Sequence, residues 1–148
     1  MILTHKSLQL TLFSFLGLLL FASLAGCSGQ SQKQLDLAPL DQMPSEVRSA
    51  AVSVQQAYRF AAANPPILQQ IPCYCGCGAM GHTSNFACYW KKDAANGAPT
   101  FENHALGCSI CVDITQDTMR LLKEGKNLPE IKAIIDASYS KFGPSNIP

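Results

Sequence analysis

Six cysteines between residues 73 and 111 are spaced as ligands are spaced. Pro72-Cys73-Tyr74-Cys75-Gly76-Cys77-Gly78 carries the first group, Cys88 stands alone, and Cys108-Ser109-Ile110-Cys111 carries the last. In an extended chain, residues two apart face the same side, so Cys73, Cys75 and Cys77 can offer three sulfurs to one centre. The glycines between and after them permit the sharp turns that wrapping an ion requires. Cys108 and Cys111 lie one helical turn apart and point the same way. His82 and His104 stand close to these cysteines and add two imidazoles. Thiolates favour Cu(I), Zn²⁺ and iron–sulfur centres, and imidazole suits zinc and copper. Six thiols and two imidazoles are enough for two four-ligand zinc sites or one multinuclear Cu(I) cluster. Ferredoxin spacings are absent, which argues against iron–sulfur. Val112, where a histidine would be needed, argues against covalent c-type haem.

The same sulfurs support two other chemistries. An even cysteine count in a small exported domain ordinarily means disulfides. Cys73, Cys75 and Cys77 are too close in sequence to pair comfortably among themselves, so each would need a partner among Cys88, Cys108 and Cys111. The result would be a disulfide-stapled interaction module without metal. Alternatively, a helix N-terminus stabilises a thiolate, so Cys108 with Cys111 as resolving thiol describes a thiol oxidoreductase. No βαβ pattern accompanies that pair. No Ser-His-Asp order, paired-carboxylate motif or phosphate loop appears either, so no catalytic residue is assigned. His82 and His104 are ligand candidates with hydrogen bonding or capping as their alternative. Met80 is a soft donor or a packing residue. Tyr74, Phe86, Tyr89 and Trp90 are expected to shield the loop.

The elements that must hold these groups are helical. Ser45 is placed as an N-cap, followed by Val47, Ala51, Val54, Tyr58 and Ala61 at helical spacing, and Asn64-Pro65-Pro66 ends the pattern. A second helix runs from about Cys108 to Glu124, with Cys108, Cys111, Val112, Thr115, Met119 and Leu122 on one face. Gly125 supplies its stop. Asn127-Leu128-Pro129-Glu130 has capping-box spacing and opens a third helix, whose buried stripe is Ile131, Ile134, Ile135, Ser138 and Phe142. Gly143-Pro144 closes it. From Pro72 to Ala105 no helical period survives, and Ala87 to Trp90 with Pro99 to Phe101 form a small hairpin. The expected fold is mainly α: a small domain of about three helices around an irregular cysteine-rich loop, stapled by metal or by disulfides.

The first residues have a separate purpose. Met1 to Ser7 carries Lys6 and no acid, Leu8 to Leu24 is apolar and uncharged, and Leu24-Ala25-Gly26-Cys27 follows. A charged start, an apolar run and small residues describe a secretory signal peptide. The Leu-Ala-Gly-Cys end looks like a bacterial lipobox, in which the Cys27 thiol is lipidated and becomes the new N-terminus. One acyl chain anchors only reversibly, and two or more hold a domain at a membrane. Residues 1–26 are thus the signal peptide, 27–43 a polar tether, and 44–148 the cysteine-rich domain. The mature protein is expected outside the cytoplasm, lipid-anchored to a bacterial membrane. All ten acids and every basic residue except Lys6 lie beyond the signal peptide. The near-neutral balance leaves no basic patch for nucleic acid or an anionic surface. Thiolates outside a cytoplasm oxidise readily unless something protects them. Prompt loading with metal, by a delivery protein for instance, would account for six of them.

Pro72-Cys73-Tyr74-Cys75-Gly76-Cys77, followed by Gly81-His82, Asn85 and Cys88, resembles the bacterial PCYCGC-motif lipoprotein family. The resemblance continues through His104, Gly107, Cys108, Cys111 and Val112-Asp113 to Gly125, Ile131 and Asp136. It implies a cysteine-bearing surface domain and names no activity.

Overall fold

The computed structural model describes residues 34–92, 95 and 97–147. The expected signal peptide, Cys27 and the start of the tether lie outside the described residues. Among the described residues five α-helices, with several 3₁₀ turns, make up most of the domain: α1 (Ser45–Arg48), α2 (Val52–Ala63), α3 (Pro65–Leu68), α4 (Ser109–Lys123) and α5 (Leu128–Tyr139). One antiparallel hairpin, β1 (Trp90–Lys92) with β2 (Pro99–Phe101), pairs Trp90 with Phe101 and Lys91 with Thr100. The mainly helical class expected from periodicity is the observed one.

Helix α4 is the axis of the core and packs against both α2 and α5. Cys111, Val112, Ile114, Thr115, Thr118, Met119, Leu121 and Leu122 of α4 are buried, a stripe wider than the one expected. Its end is a glycine stop: Gly125 has φ +82°, its N–H reaches the Leu122 carbonyl, and the Lys126 N–H reaches that of Leu121. At α5 the capping box is complete, with Glu130 N–H on Asn127 Oδ1 at 3.0 Å and Asn127 N–H on Glu130 Oε2 at 2.9 Å.

Four expectations need correction. The first helix is two. The Ser49 hydroxyl donates to the Ser45 and Glu46 carbonyls, and the Gln55 amide donates to those of Arg48 and Ala50. Side chains therefore occupy carbonyls that a continuing helix would have used. Ala51 is extended and exposed, and Ser45 is the first helical residue with Pro44 as cap. In α5 the buried stripe is Ile131, Ile135 and Tyr139, with Ile134 half-buried. Ser138 is exposed and Phe142 is 52% exposed. Tyr139 takes the inward position because its hydroxyl donates to Asp117 Oδ2 of α4 at 2.8 Å. The hairpin starts later than expected, since Phe86–Cys88 is a 3₁₀ turn. Finally, residues 35–43 lie against the domain. Leu35, Leu37 and Leu40 pack on the core, Met43 is buried, and Ala38 exchanges hydrogen bonds with Arg59 on α2.

Candidate metal centre

The start of α4 fixes the first two sulfurs. Cys108 is its N-cap residue, and Cys111 sits on its buried face one turn later. The Cys111 carbonyl accepts the Tyr89 hydroxyl at 2.8 Å and the Asn85 amide at 3.2 Å, while Thr115 Oγ1 donates to Asn85 Oδ1 at 2.7 Å. All four residues are buried. This network ties the returning part of the loop, Asn85 to Tyr89, to the helix that carries Cys111.

The loop holding Cys73, Cys75 and Cys77 lacks regular structure until the 3₁₀ turn Cys77–Met80, which Gly76 (φ +83°) and Gly81 (φ +84°) bracket in left-handed backbone. Its outer edge is pinned by the C-terminal segment. Asn146 Oδ1 accepts the Cys73 N–H at 2.7 Å, the Asn146 N–H donates to the Cys73 carbonyl at 3.1 Å, and its side-chain amide donates to Cys77 Sγ at 3.5 Å. Tyr74 anchors the loop through its hydroxyl to Asp136 Oδ1 of α5 at 2.5 Å. A Cβ at Gly143 would lie 2.8 Å from the Tyr74 carbonyl oxygen, so the close approach of this segment requires glycine.

Together these elements bring all six sulfurs and both imidazoles to one place. Cys73 Sγ lies 3.4 Å from both Cys75 Sγ and Cys111 Sγ, Cys75 lies 3.5 Å from Cys111, and Cys77 lies 3.5 Å from Cys88. Cys75 Sγ is 3.4 Å from His104 Nε2. Two four-residue groups have all ligand atoms within 4.8 Å of one another: Cys75, His104, Cys108 and Cys111, and Cys77, His82, Cys88 and His104. Cys73 joins both sides, with Cys88 and Cys111 in one group and Cys75 and Cys77 in another. Every one of the eight ligand candidates read from the sequence is in the cluster. Met80 is 59% exposed.

The six cysteines are free thiols. A disulfide framework gives each sulfur one partner, whereas Cys73, Cys75 and Cys111 form a mutual triangle. The spacing fits tetrahedral ligation. Four sulfurs about 2.3 Å from a zinc ion are separated by about 3.8 Å, and a sulfur–nitrogen edge is near 3.6 Å.

The second group contains an orphan. His82 is buried, its Nε2 lies 4.0 Å from Glu102 Oε2, and its Nδ1 is buried without a partner among the described residues. With one ring nitrogen unpaired and His82 within ligand distance of Cys77 and Cys88, the ring is free to ligate. Burial, and then the neighbouring His104, push the His82 pKa down, which keeps the ring neutral and able to ligate. Burial pushes the Glu102 carboxyl up, but Lys91 at 2.9 Å and the His104 N–H at 3.3 Å hold it below its ordinary value. Glu102 is thus a carboxylate that positions both histidines.

Hydrogen bonding to Cys111 above all keeps Cys73 far below the usual thiol range. Cys75 is lowered to about 4, chiefly by hydrogen bonding to Cys88 and secondarily to His104, against burial. Cys88 is pushed well up, first through its hydrogen bond to Cys111, and Cys111 likewise, first through Cys73. Burial raises Cys108. Ligation by thiolates releases thiol protons, so binding at this cluster is linked to pH.

Glu102, Asn146, Thr115 and Gly143 were not singled out from sequence as parts of this site. Gly143 was visible only as a helix stop, and a lone Asn near a chain end carries no signal. No curated protein and no solved structure matches the chain. A family model described as a protein of unknown function with PCYCGC motif matches residues 19–146. With that span covering most of its length, the chain belongs to the PCYCGC-motif family.

Proposed function

We propose that this protein is a membrane-anchored, extracytoplasmic lipoprotein that binds a soft metal ion, Cu(I) or Zn²⁺, through its cysteine cluster, and takes part in handling that metal. The observation that carries the reading is the convergence of six free thiols and two imidazoles within ligand distance of one another. Buried thiols packed this closely have no better use than ligation. Their mutual hydrogen bonds are weak, and outside a cytoplasm unprotected thiolates oxidise. The lipobox motivates the location, with Cys27 as the lipid site and the domain held at the membrane surface. A metal-delivery protein is the partner that such a surface domain would meet.

The test is elemental analysis of the full chain, extracted in detergent and purified anaerobically without an affinity metal or a histidine tag. Zinc or copper at one equivalent or more, with six thiols that become alkylatable only after chelation, is the expected result. Absence of both metals, with an intact mass lowered by six hydrogens, would replace this reading by the disulfide-stapled module. For the anchor, Cys27→Ser should move the protein out of the detergent-extracted membrane fraction or leave it as unprocessed precursor. Normal anchoring of that variant would refute the lipid assignment.

A further inference from the structure

The ligand cluster has two unequal sides. On one side Cys77 is 2% exposed, Cys88 is fully buried and His82 is 7% exposed. On the other, Cys75, His104 and Cys108 are all half-buried, and only Cys111 is fully covered. Gly76 and Gly107, which flank Cys75 and Cys108, are exposed and add no side chain over them. Cys73 lies between the sides: fully buried, touching Cys75 and Cys111 at 3.4 Å, and within ligand distance of Cys77 and of Cys88.

The donors fall into two groups of four that share His104, with Cys73 between them. Cys75, Cys108, Cys111 and His104 form an open set. Cys77, Cys88 and His82 form a closed one, which His104 reaches as well, while Cys73 lies within ligand distance of Cys77, of Cys88 and of Cys75 and Cys111 in the open set. Each side offers thiols and an imidazole, a donor combination that suits a tetrahedral ion. The supports differ as well. The Asn146 amide donates to Cys77, and Glu102 backs His82. Cys108, at the open side, receives no hydrogen bond from a side chain outside the cluster among those described.

We infer that the centre is dinuclear and functionally divided: one ion is retained in the closed set, and an exchangeable ion in the open set is the one passed to or taken from a thiol-bearing partner. The inference rests on the metal-binding reading above. Exchange at the open set follows from access. An incoming thiolate can replace Cys75 or Cys108 at the ion, each step exchanging one metal–sulfur bond for another, with the released thiolate taking up a proton and no change in oxidation state. The closed set offers no sulfur to an incoming ligand unless the loop opens.

The experiment uses the full chain loaded with Zn²⁺ alone and challenged with a chromophoric chelator under reductant. Native mass spectrometry should count two zinc ions. Their release should be biphasic, with one equivalent leaving at least ten times faster than the other. Alkylation at the end of the fast phase, mapped on peptides, should modify Cys75 and Cys108 and spare Cys77 and Cys88. Cys108→Ser should remove the fast equivalent alone and Cys88→Ser the slow one. The alkylation map uses the unaltered chain, so it decides even if a variant misfolds. A single bound zinc, one release phase for two, or equal alkylation of both sets would overturn the division while leaving metal binding intact. No bound zinc at all would overturn the metal-binding reading itself.

Discussion

Helix α4 and the loop from Cys73 to Cys88 deliver sulfur to the same centre by different physics. The helix has eight buried residues along its length and a glycine stop, and it lies between α2 and α5. Its position would survive loss of the centre, since burial of apolar side chains at about 25 cal/mol per Å² holds it. The loop carries two 3₁₀ turns and no strand. Polar clamps hold it: Asn146 on Cys73, Asn85 on the Ile71 and Cys111 carbonyls, and Tyr74 on Asp136. Each such hydrogen bond contributes about 0.5–1.5 kcal/mol net, beside the burial of Cys73, Tyr74, Cys77, Phe86 and Cys88 in the core. Under the proposed function ligation adds to this support, and a loop that depends on it can open for exchange without unfolding the helices.

The largest effect that separates the two regions comes from the helix cysteines. Replacing Cys108 and Cys111 together by serine should abolish the open set and expose amides from Tyr74 to Trp90 to exchange, while α2, α4 and α5 keep most of their protection. Structural zinc contributes about 10–16 kcal/mol in small finger peptides, so a hundredfold loss of loop protection, about 2.7 kcal/mol, is a modest expectation. Hydrogen exchange under reductant checks it. Unchanged protection in the loop, with unchanged metal content, would make the two groups independent.

Ile114→Ala tests the other side of the comparison. Ile114 is fully buried on α4 and is not a ligand. Its truncation should cost about 2–5 kcal/mol of global stability, read by denaturant unfolding, without altering the metal-to-protein ratio. Loss of metal in proportion to stability would mean that helix and centre form a single cooperative unit.

What the sequence made legible follows the same line. Most of the buried face of α4, its glycine stop and the capping box of α5 could be read because burial imposes a 3.6-residue period and end chemistry is local. All eight ligand candidates could be read because cysteine and histidine at short, repeated spacings have few other uses. The split between α1 and α2 could not, because it depends on Ser49 and Gln55 taking carbonyls that a propensity pattern leaves to the helix. Tyr139 was missed in favour of Ser138 and Phe142 because its inward turn is set by Asp117, 22 residues away. Glu102 and Asn146 were invisible for a related reason: their partners His82 and Cys73 are distant in sequence, and only the folded chain brings them together.

A smaller effect sharpens the comparison at the loop itself. Asn146→Ala removes three contacts to Cys73 and Cys77 at once when the backbone shifts with it, and two when it does not. The Cys73 N–H would lose its acceptor, at a cost of about 1–3 kcal/mol if it remains buried. Exchange at Cys73 to Cys77 should rise and zinc affinity should fall by about tenfold, within the range expected when a group supporting a ligand is lost. Helix α5, next to it in sequence, should be unaffected. An effect spread evenly over the domain would assign Asn146 a role in global stability only.

The central claim is that sulfur from both regions meets at one metal centre, and X-ray absorption at the K edge of the bound metal tests it most directly. The full chain, loaded as purified, should give a shell dominated by sulfur at about 2.3 Å with a minority of nitrogen near 2.0 Å. In the Cys108→Ser, Cys111→Ser variant the sulfur count per remaining ion should hold while the ion count falls. A shell of oxygen and nitrogen alone would contradict the account, because the ion would then be bound elsewhere and the cysteine cluster would need another purpose.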